Sequence, residues 1–326
     1  MRKPFRLIPG SKDYLWGGNR LNEEFNKNID KSPLAETWEC STHKDGPSYV
    51  ATGEFTGQSL IDVLYNNPEF LGKNNESIKE LPILIKLIDA KQNLSIQVHP
   101  DDDYAREVEN QLYGKNELWY VLSSEEGAEL IYGMKESVDK ETVIKAIEDG
   151  TLEDYLLKVP VKENDIFFIK AGTIHAICAG VVLLEVQQSS NLTYRLYDYN
   201  RIDKDGNKRE LHIKKSLDVS SLSETKIPDQ KKNKPSIIDG AALELLQQTP
   251  YFKIERLTVN TENTRVMPSV QTDELSFQSL VCISGTGTLI FEGGNIPFIK
   301  GDCMFIPANS EKISIQGMAQ LVKVTC

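Results

Sequence analysis

Two histidines, a glutamate and a glutamine stand where apolar stretches meet turns, and together they make a donor set for a divalent metal ion. In LSIQVHP, residues 94–100, Gln97 and His99 alternate with Ile96 and Val98. A strand repeats every two residues, so both polar side chains are predicted on one face. Glu117 precedes the strand-like run at 118–122, and His175 follows Ile166, Phe167, Phe168 and Ile169 through the turn signal Ala171, Gly172, Thr173. A carboxylate, two imidazoles and an amide oxygen brought in from different strands suit a borderline cation such as Zn²⁺, with a position left for water or substrate. Taken singly, each of these residues fits a satisfied structural group as well as a ligand. The metal reading rests on their coincidence, since the chain has only 4 histidines and two of them fall at strand ends.

Three further charges stand inside apolar surroundings. Lys86 interrupts LPILIKLIDA (81–90), Glu185 interrupts VVLLEV (181–186), and Arg195 stands among tyrosines in the turn that follows. A charge enclosed by apolar neighbours requires a counter-charge, a metal or a substrate. Lys86 reads either as a lysine reaching water from a sheet edge or as a cation for an anionic substrate. Glu185 and Arg195 read either as a structural ion pair or as site groups. His43 reads as a turn residue and His212 as a surface or hinge residue.

The elements that must position these groups are mostly short strands. The net charge of −11, from 37 basic and 48 acidic residues, argues against a nucleic-acid partner, because such affinity comes largely from phosphate neutralisation. No apolar segment reaches the ~18 to 20 residues of a membrane span, and the opening lacks the apolar core of a signal peptide, so the chain is expected in the cytoplasm. The 5 cysteines have no CxxC spacing and read as reduced thiols. Helices are expected over 59–72, from the aspartates at 101–103 to about Leu112, and from 137 to Leu157, the last as an insertion able to cover a barrel mouth.

A polar, lysine-rich stretch at 221–240 reads as a linker between a domain over 1–220 and a second over 241–326. The second part echoes the first: VLSSEEG (121–127) matches VCISGTG (281–287), and NDIFFIKAGTIH (164–175) matches GDCMFIPANSEK (301–312). In that echo Phe277 stands at the position of Glu117 and Lys312 at that of His175, so the C-terminal copy should bind no metal. The fold expected is mainly β: two cupin (jelly-roll) barrels with a few helical insertions.

The blocks LIKLIDAKQNLSIQVHPDD, GKNELWYVL, KAGTIHAI and EVQQSSNLTYRLYDYNR, together with YLWGG near the start and a degenerate second barrel, closely resemble the short bacterial type I mannose-6-phosphate isomerases. The resemblance covers essentially the whole chain and implies a zinc-dependent isomerase that interconverts mannose 6-phosphate and fructose 6-phosphate through a cis-enediol. It implies one zinc per chain held by Gln97, His99, Glu117 and His175. It places the active-site arginine at Arg195, for phosphate or for enediolate oxygen, the enediolate being favoured because Lys86 and Ser95 already suit the phosphate, and a polar pocket at Lys86, Ser95, Lys115 and Glu185. Lys86 and Ser95 suit the phosphate, and Glu185 and Lys115 are the candidates for proton transfer. A sugar phosphate is the expected partner of a monomer or weak homodimer. Two other readings are a metal-dependent cupin oxygenase and a non-catalytic sugar-phosphate-binding protein.

Overall fold

The computed structural model describes residues 2–75, 77–78, 80–202, 206–230, 233–238, 240–262 and 266–326. Its centre is the strand Ile83–Ala90, every residue of which is buried. That strand lies between Glu36–Cys40 and Val181–Gln188 in a six-stranded sheet completed by Glu117–Ser124, Ile166–Ile169 and Gly10–Lys12. All its pairings are antiparallel, and the register sets Glu185 opposite both Lys86 and Trp119, and Gln187 opposite Glu117. Residues directly opposite share a face, so Glu117, Lys86 and Glu185 all project from the same side of this sheet.

The continuous apolar runs follow from burial on both faces. One face turns Ile88, Trp119, Val121, Leu183 and Phe167 into a barrel core. The other turns Ile85, Leu87, Leu118, Tyr120 and Leu184 against Phe277, Phe305 and Val322 of the C-terminal sheet. The barrel is closed by a five-stranded sheet ordered Tyr194–Tyr197, Ile96–Val98, His175–Ile177, Glu129–Met134, Leu156–Pro160. Within it His175 pairs with Gln97, and Gln97 with Arg195.

The C-terminal sheet has ten strands, among them the long pair Gln278–Phe291 and Ile313–Thr325. It also takes in chain from the opposite end: Phe5–Ile8 pairs with Cys303–Ile306 and with Tyr49–Val50. Phe305 stacks on Phe5 on one side and Phe277 on the other, with ring centroids 5.3 and 5.2 Å apart. Of the stretch expected as linker, Thr225 is bonded to Met134, the side chain of Gln230 caps both backbone groups of Ile166, and Ser236–Ile238 is a strand of the C-terminal sheet. Lys231, Lys232 and Asp239 of that stretch lie outside the described residues.

The helices are shorter than their apolar spacing predicts. The first runs only Leu60–Asn66, followed by a separate 3-10 turn Pro68–Phe70, because proline lacks the N–H and restricts the residue before it. Tyr65, expected on its packing face, is exposed. The second is Asp102–Glu109, capped by Asp101, whose side chain accepts from the Tyr104 amide, and ended by Asn110 in the left-handed region. The third is Lys140–Glu148, ended at Gly150 with φ +71°, after which Leu156–Pro160 is strand rather than helix. Its Val143 and Ala146 pack with Ile131, Ile174 and Leu196 against the outer face of the five-stranded sheet, so this insertion does not cover the barrel mouth. A helix at Ile213–Val219 has no counterpart in the expectations.

Truncating Phe305 to alanine should remove its stack on Phe5, which joins the chain's two ends, as well as that on Phe277, and leave a cavity. The expected loss is about 3–5 kcal/mol in denaturant unfolding. A loss below about 1 kcal/mol would show that the stack does not join them.

Candidate active site

The barrel interior brings His99, Glu117 and His175 together, each with ligand atoms within 4.8 Å of the others. The His175 Nε2 lies 3.3 Å from Glu117 Oε1, and the His99 Nε2 lies 3.5 Å from Oε2. Both imidazoles are oriented by backbone carbonyls: His99 Nδ1 is 2.8 Å from the Leu192 oxygen and His175 Nδ1 is 2.8 Å from that of Thr173. A carbonyl can only accept, which assigns the proton to Nδ1 and leaves each Nε2 lone pair facing the centre.

The electrostatics ask for a cation. Burial drives the pKa of His175 down to about 4 and that of His99 well below its ordinary value, with the Lys115 ammonium adding to both. Both rings are therefore neutral, the form that binds metal. Burial also pushes the Glu117 carboxyl well up, only partly offset by Lys115. No hydrogen-bond donor is aligned with either Glu117 oxygen, although the Lys115 ammonium lies 2.8 Å from Oε2 as an ion pair. One ammonium compensates a carboxylate so deeply buried only in part, and two neutral imidazoles with one carboxylate fit a divalent metal. Gln97 adjoins the set: its side-chain amide nitrogen is 3.4 Å from His175 Nε2, and a half-turn of the amide puts its oxygen there instead.

Beside this cluster opens a cavity of about 370 Å³ whose wall includes Gln97, Lys115, Lys86, Glu185, Ser95 and Arg195. Lys86 Nζ lies 2.9 Å from Glu185 Oε2 and 3.9 Å from Glu36 Oε2, and 5.0 Å from the centroid of the Trp38 ring. Each carboxylate is steadied by an indole: Trp119 Nε1 donates to Glu185 Oε1 at 3.1 Å and Trp38 Nε1 to Glu36 Oε2 at 2.7 Å. Burial would raise the Glu185 pKa, but Lys115 and Lys86 outweigh it and hold the carboxyl below its usual range. Burial would likewise lower that of Lys86, and Glu185 and Glu36 outweigh it, so the ammonium stays charged. Glu185 is thus paired with Lys86 rather than with Arg195.

Arg195 Nε donates to Ser95 Oγ at 3.3 Å and its Nη1 to the Glu210 carbonyl at 2.8 Å. Burial, and then the nearby Arg209, lower its pKa. Arg209 also lines the cavity, held by two bonds to Asp198 at 2.7 and 2.6 Å. His212 accepts from the Arg195 amide through Nδ1 at 3.2 Å, and His43 lies edge-on to Trp38. Tyr14 and Trp16 complete the wall, their rings 5.5 Å apart. The following Gly17 lies so close to Ala35 that a Cβ there would sit 2.4 Å from the alanine methyl.

Sequence reasoning passed over Glu36, Trp38, Arg209 and the wall residues Tyr14 and Trp16. Glu36 carried a usable signal, a carboxylate in the buried run ETWEC, the same signal that singled out Glu185. Arg209 carried none, because KDGNKREL is polar throughout.

In the C-terminal copy Phe277 is fully buried and Lys312 is exposed. Among the described residues the His99, Glu117, His175 cluster is the only group of three or more such ligands.

Residues 4–132 match the family model of the phosphomannose isomerase type I catalytic domain, and residues 242–326 match that of the mannose-6-phosphate isomerase cupin domain. The mannose-6-phosphate isomerase of Streptococcus mutans is 35% identical over 323 residues, 99% of this chain and 98% of its own. This chain belongs to the type I phosphomannose isomerases. The crystal structure of the mannose 6-phosphate isomerase from Bacillus subtilis superposes with a TM-score of 0.90 at 33% identity over 99% of both chains. A variant of Salmonella typhimurium phosphomannose isomerase shares the fold at a TM-score of 0.76 and 17% identity, with 99% of each chain covered. The cupin architecture and the antiparallel sheets are those of this isomerase family, and no helix among the described residues is long and apolar enough to cross a membrane.

Replacing His175 by alanine removes one of three or four ligands and should abolish stoichiometric metal binding while circular dichroism stays that of a folded β protein. Elemental analysis after dialysis should give about one divalent ion per wild-type chain and none for the variant. Two ions per chain, or full retention by the variant, would place the metal elsewhere.

Proposed function

We propose that this chain interconverts mannose 6-phosphate and fructose 6-phosphate with one zinc ion per chain, acting in the cytoplasm as a monomer or weak homodimer. The observation that carries the reading is the juxtaposition of a buried His/Glu/His set, its carboxylate offset only in part by Lys115, with a cavity walled by four cations, Lys86, Lys115, Arg195 and Arg209, against two carboxylates, Glu36 and Glu185. A chain of net charge −11 that gathers four cations around one cavity is built for an anion. Five free cysteines fit a reducing compartment.

Zinc held by His99, Glu117, His175 and the Gln97 oxygen would polarise a substrate oxygen as a Lewis acid and lower the pKa of water bound to it. The chain's own groups supply the rest. Aldose–ketose isomerisation removes the proton on C2 and returns one to C1, so a single group reaching both carbons leaves no net proton change. Glu185 fits that role, because it lines the cavity and Lys115 and Lys86 keep its carboxylate ionised. Lys115, placed between Glu117, His99 and the cavity, is the other candidate.

Lys86 is engaged by two carboxylates and serves best by orienting Glu185 and offsetting its charge. The phosphate then falls to Ser95, Arg195 and Arg209, where two guanidinium groups match a dianion. A protein that only binds a sugar phosphate would use these cations but would have no use for a buried His/Glu/His set. A cupin oxygenase would need redox-active iron, and nothing in the cavity favours that ion over zinc.

Kinetics separate the roles. Glu185→Gln keeps the shape of the side chain and an oxygen for Trp119 Nε1 but removes the base and its ion pair with Lys86, so kcat should fall by about 10²–10⁴ with KM little changed. Arg195→Ala should raise KM by more than it lowers kcat, the mark of an interaction made equally in ground and transition states. An Arg195→Ala variant with unchanged KM and a kcat reduced about 100-fold would move that arginine from the phosphate to the developing enediolate oxygen.

A further inference from the structure

The three ligands come from three separate chain segments, and each must be held to a fraction of an ångström for the set to close on one ion. Backbone bonds tie these segments pairwise: the Lys115 amide donates to the Pro100 carbonyl at 2.9 Å and the Gly172 amide to that of His99 at 2.9 Å. What joins all three is a pair of buried amide side chains, Asn116 and Gln188, each 3% exposed.

Gln188 Oε1 accepts from the Asn116 backbone amide at 2.9 Å and from Asn116 Nδ2 at 2.8 Å. Asn116 Oδ1 accepts from the Ala171 amide at 3.0 Å, in the turn that leads to His175. Gln188 Nε2 donates to Asp102 Oδ1 at 2.9 Å, and the same carboxylate oxygen accepts from the Gly114 amide at 2.8 Å. The backbone closes the ring, with the Gln188 amide donating to the Asn116 carbonyl at 3.1 Å. Backbone N–H groups face both amide oxygens, so neither amide can turn over without losing its partners.

We propose that Asn116 and Gln188 are positioning residues of the metal centre, clasping the Glu117 strand to the turn before His175 and to the helix start that follows His99. This inference rests on the reading of His99, Glu117 and His175 as the metal ligands. Neither amide touches the ion. Removing one frees a segment that carries a ligand and strands buried donors and acceptors on the others. Such outer contacts typically account for 10- to 100-fold in metal affinity, an effect that a contribution to fold stability alone does not produce.

The test compares full-length Asn116→Ala and Gln188→Met with wild type, His175→Ala and Phe298→Leu. Phe298 is buried in the C-terminal barrel, and this variant controls for a general loss of stability. Zinc and cobalt affinities are measured by competition with a chromophoric chelator, alongside the visible spectrum of the cobalt form and the melting temperature of the metal-free protein. Asn116→Ala and Gln188→Met should each bind about 10- to 100-fold more weakly with an altered cobalt spectrum, and Phe298→Leu should bind as wild type does. Gln188→Met keeps the side-chain volume, so it reads out the clasp even where Asn116→Ala does not fold. Wild-type affinity and spectrum in Gln188→Met, or an equal loss of affinity in Phe298→Leu, overturns the proposal. Wild-type affinity in His175→Ala overturns the ligand assignment beneath it, and the two failures are told apart by that control.

Discussion

A carboxylate buried in the middle of a barrel, with neutral imidazoles on two sides and no aligned donor on either oxygen, is the constraint on which the rest of this structure depends. Desolvating Glu117 costs several kcal/mol, and Lys115 offsets only part of that. The surrounding fold reads as an apparatus for holding that arrangement. The Leu192 and Thr173 carbonyls set the imidazole tautomers, and the six-stranded sheet fixes Glu117 in register with Gln187. In the same low-dielectric interior a divalent ion bound at this point would be the strongest local charge, so its binding and the order of the site would be coupled.

The two barrels show what happens to one template when that constraint is lifted. The sequence echo sets Phe277 against Glu117, but the register corrects it by one residue: Gln278 stands opposite Ile306 as Glu117 stands opposite Ile169, and Phe277 turns to the other face, where its ring stacks on Phe305 and through it on Phe5. The interior of the C-terminal barrel is apolar, lined by Leu280, Met304, Ile306 and Leu321, and the aromatic stack lies outside it, between the two sheets. The outer face of the six-stranded sheet packs on this aromatic layer, so the strands that carry Lys86, Glu117 and Glu185 are buried on both faces. Rigid placement of charged groups inside one barrel thus draws on apolar packing supplied by the other.

Much of the site was legible in the sequence because its residues break a rule there. Lys86 and Glu185 interrupt apolar runs, and two of the few histidines fall where strands meet turns. Glu36 breaks the same rule and was passed over only because ETWEC is short and mixed. Arg209 could not be found that way, since its neighbours are polar and only the chain's return alongside Arg195 brings it to the cavity. The helix ends were poorly legible for a local reason: apolar spacing continued past Pro68 and Gly150, whereas backbone geometry did not. The third helix was misplaced at the barrel mouth because its apolar face says that it packs but not on which side of a sheet. The Asn116 and Gln188 clasp left no trace in the pattern, because two amides beside strand ends look like ordinary surface residues until their partners are seen.

The central claim is that a metal bound by the buried His/Glu/His set and an anion-binding cavity beside it together perform an aldose–ketose isomerisation. It is tested most directly by following fructose 6-phosphate formed from mannose 6-phosphate in a coupled assay, on protein stripped with a chelator and then titrated with zinc. The account predicts negligible turnover in the stripped protein and recovery that saturates at about one equivalent per chain. Undiminished turnover without metal, or no fructose 6-phosphate from zinc-replete protein, would contradict it.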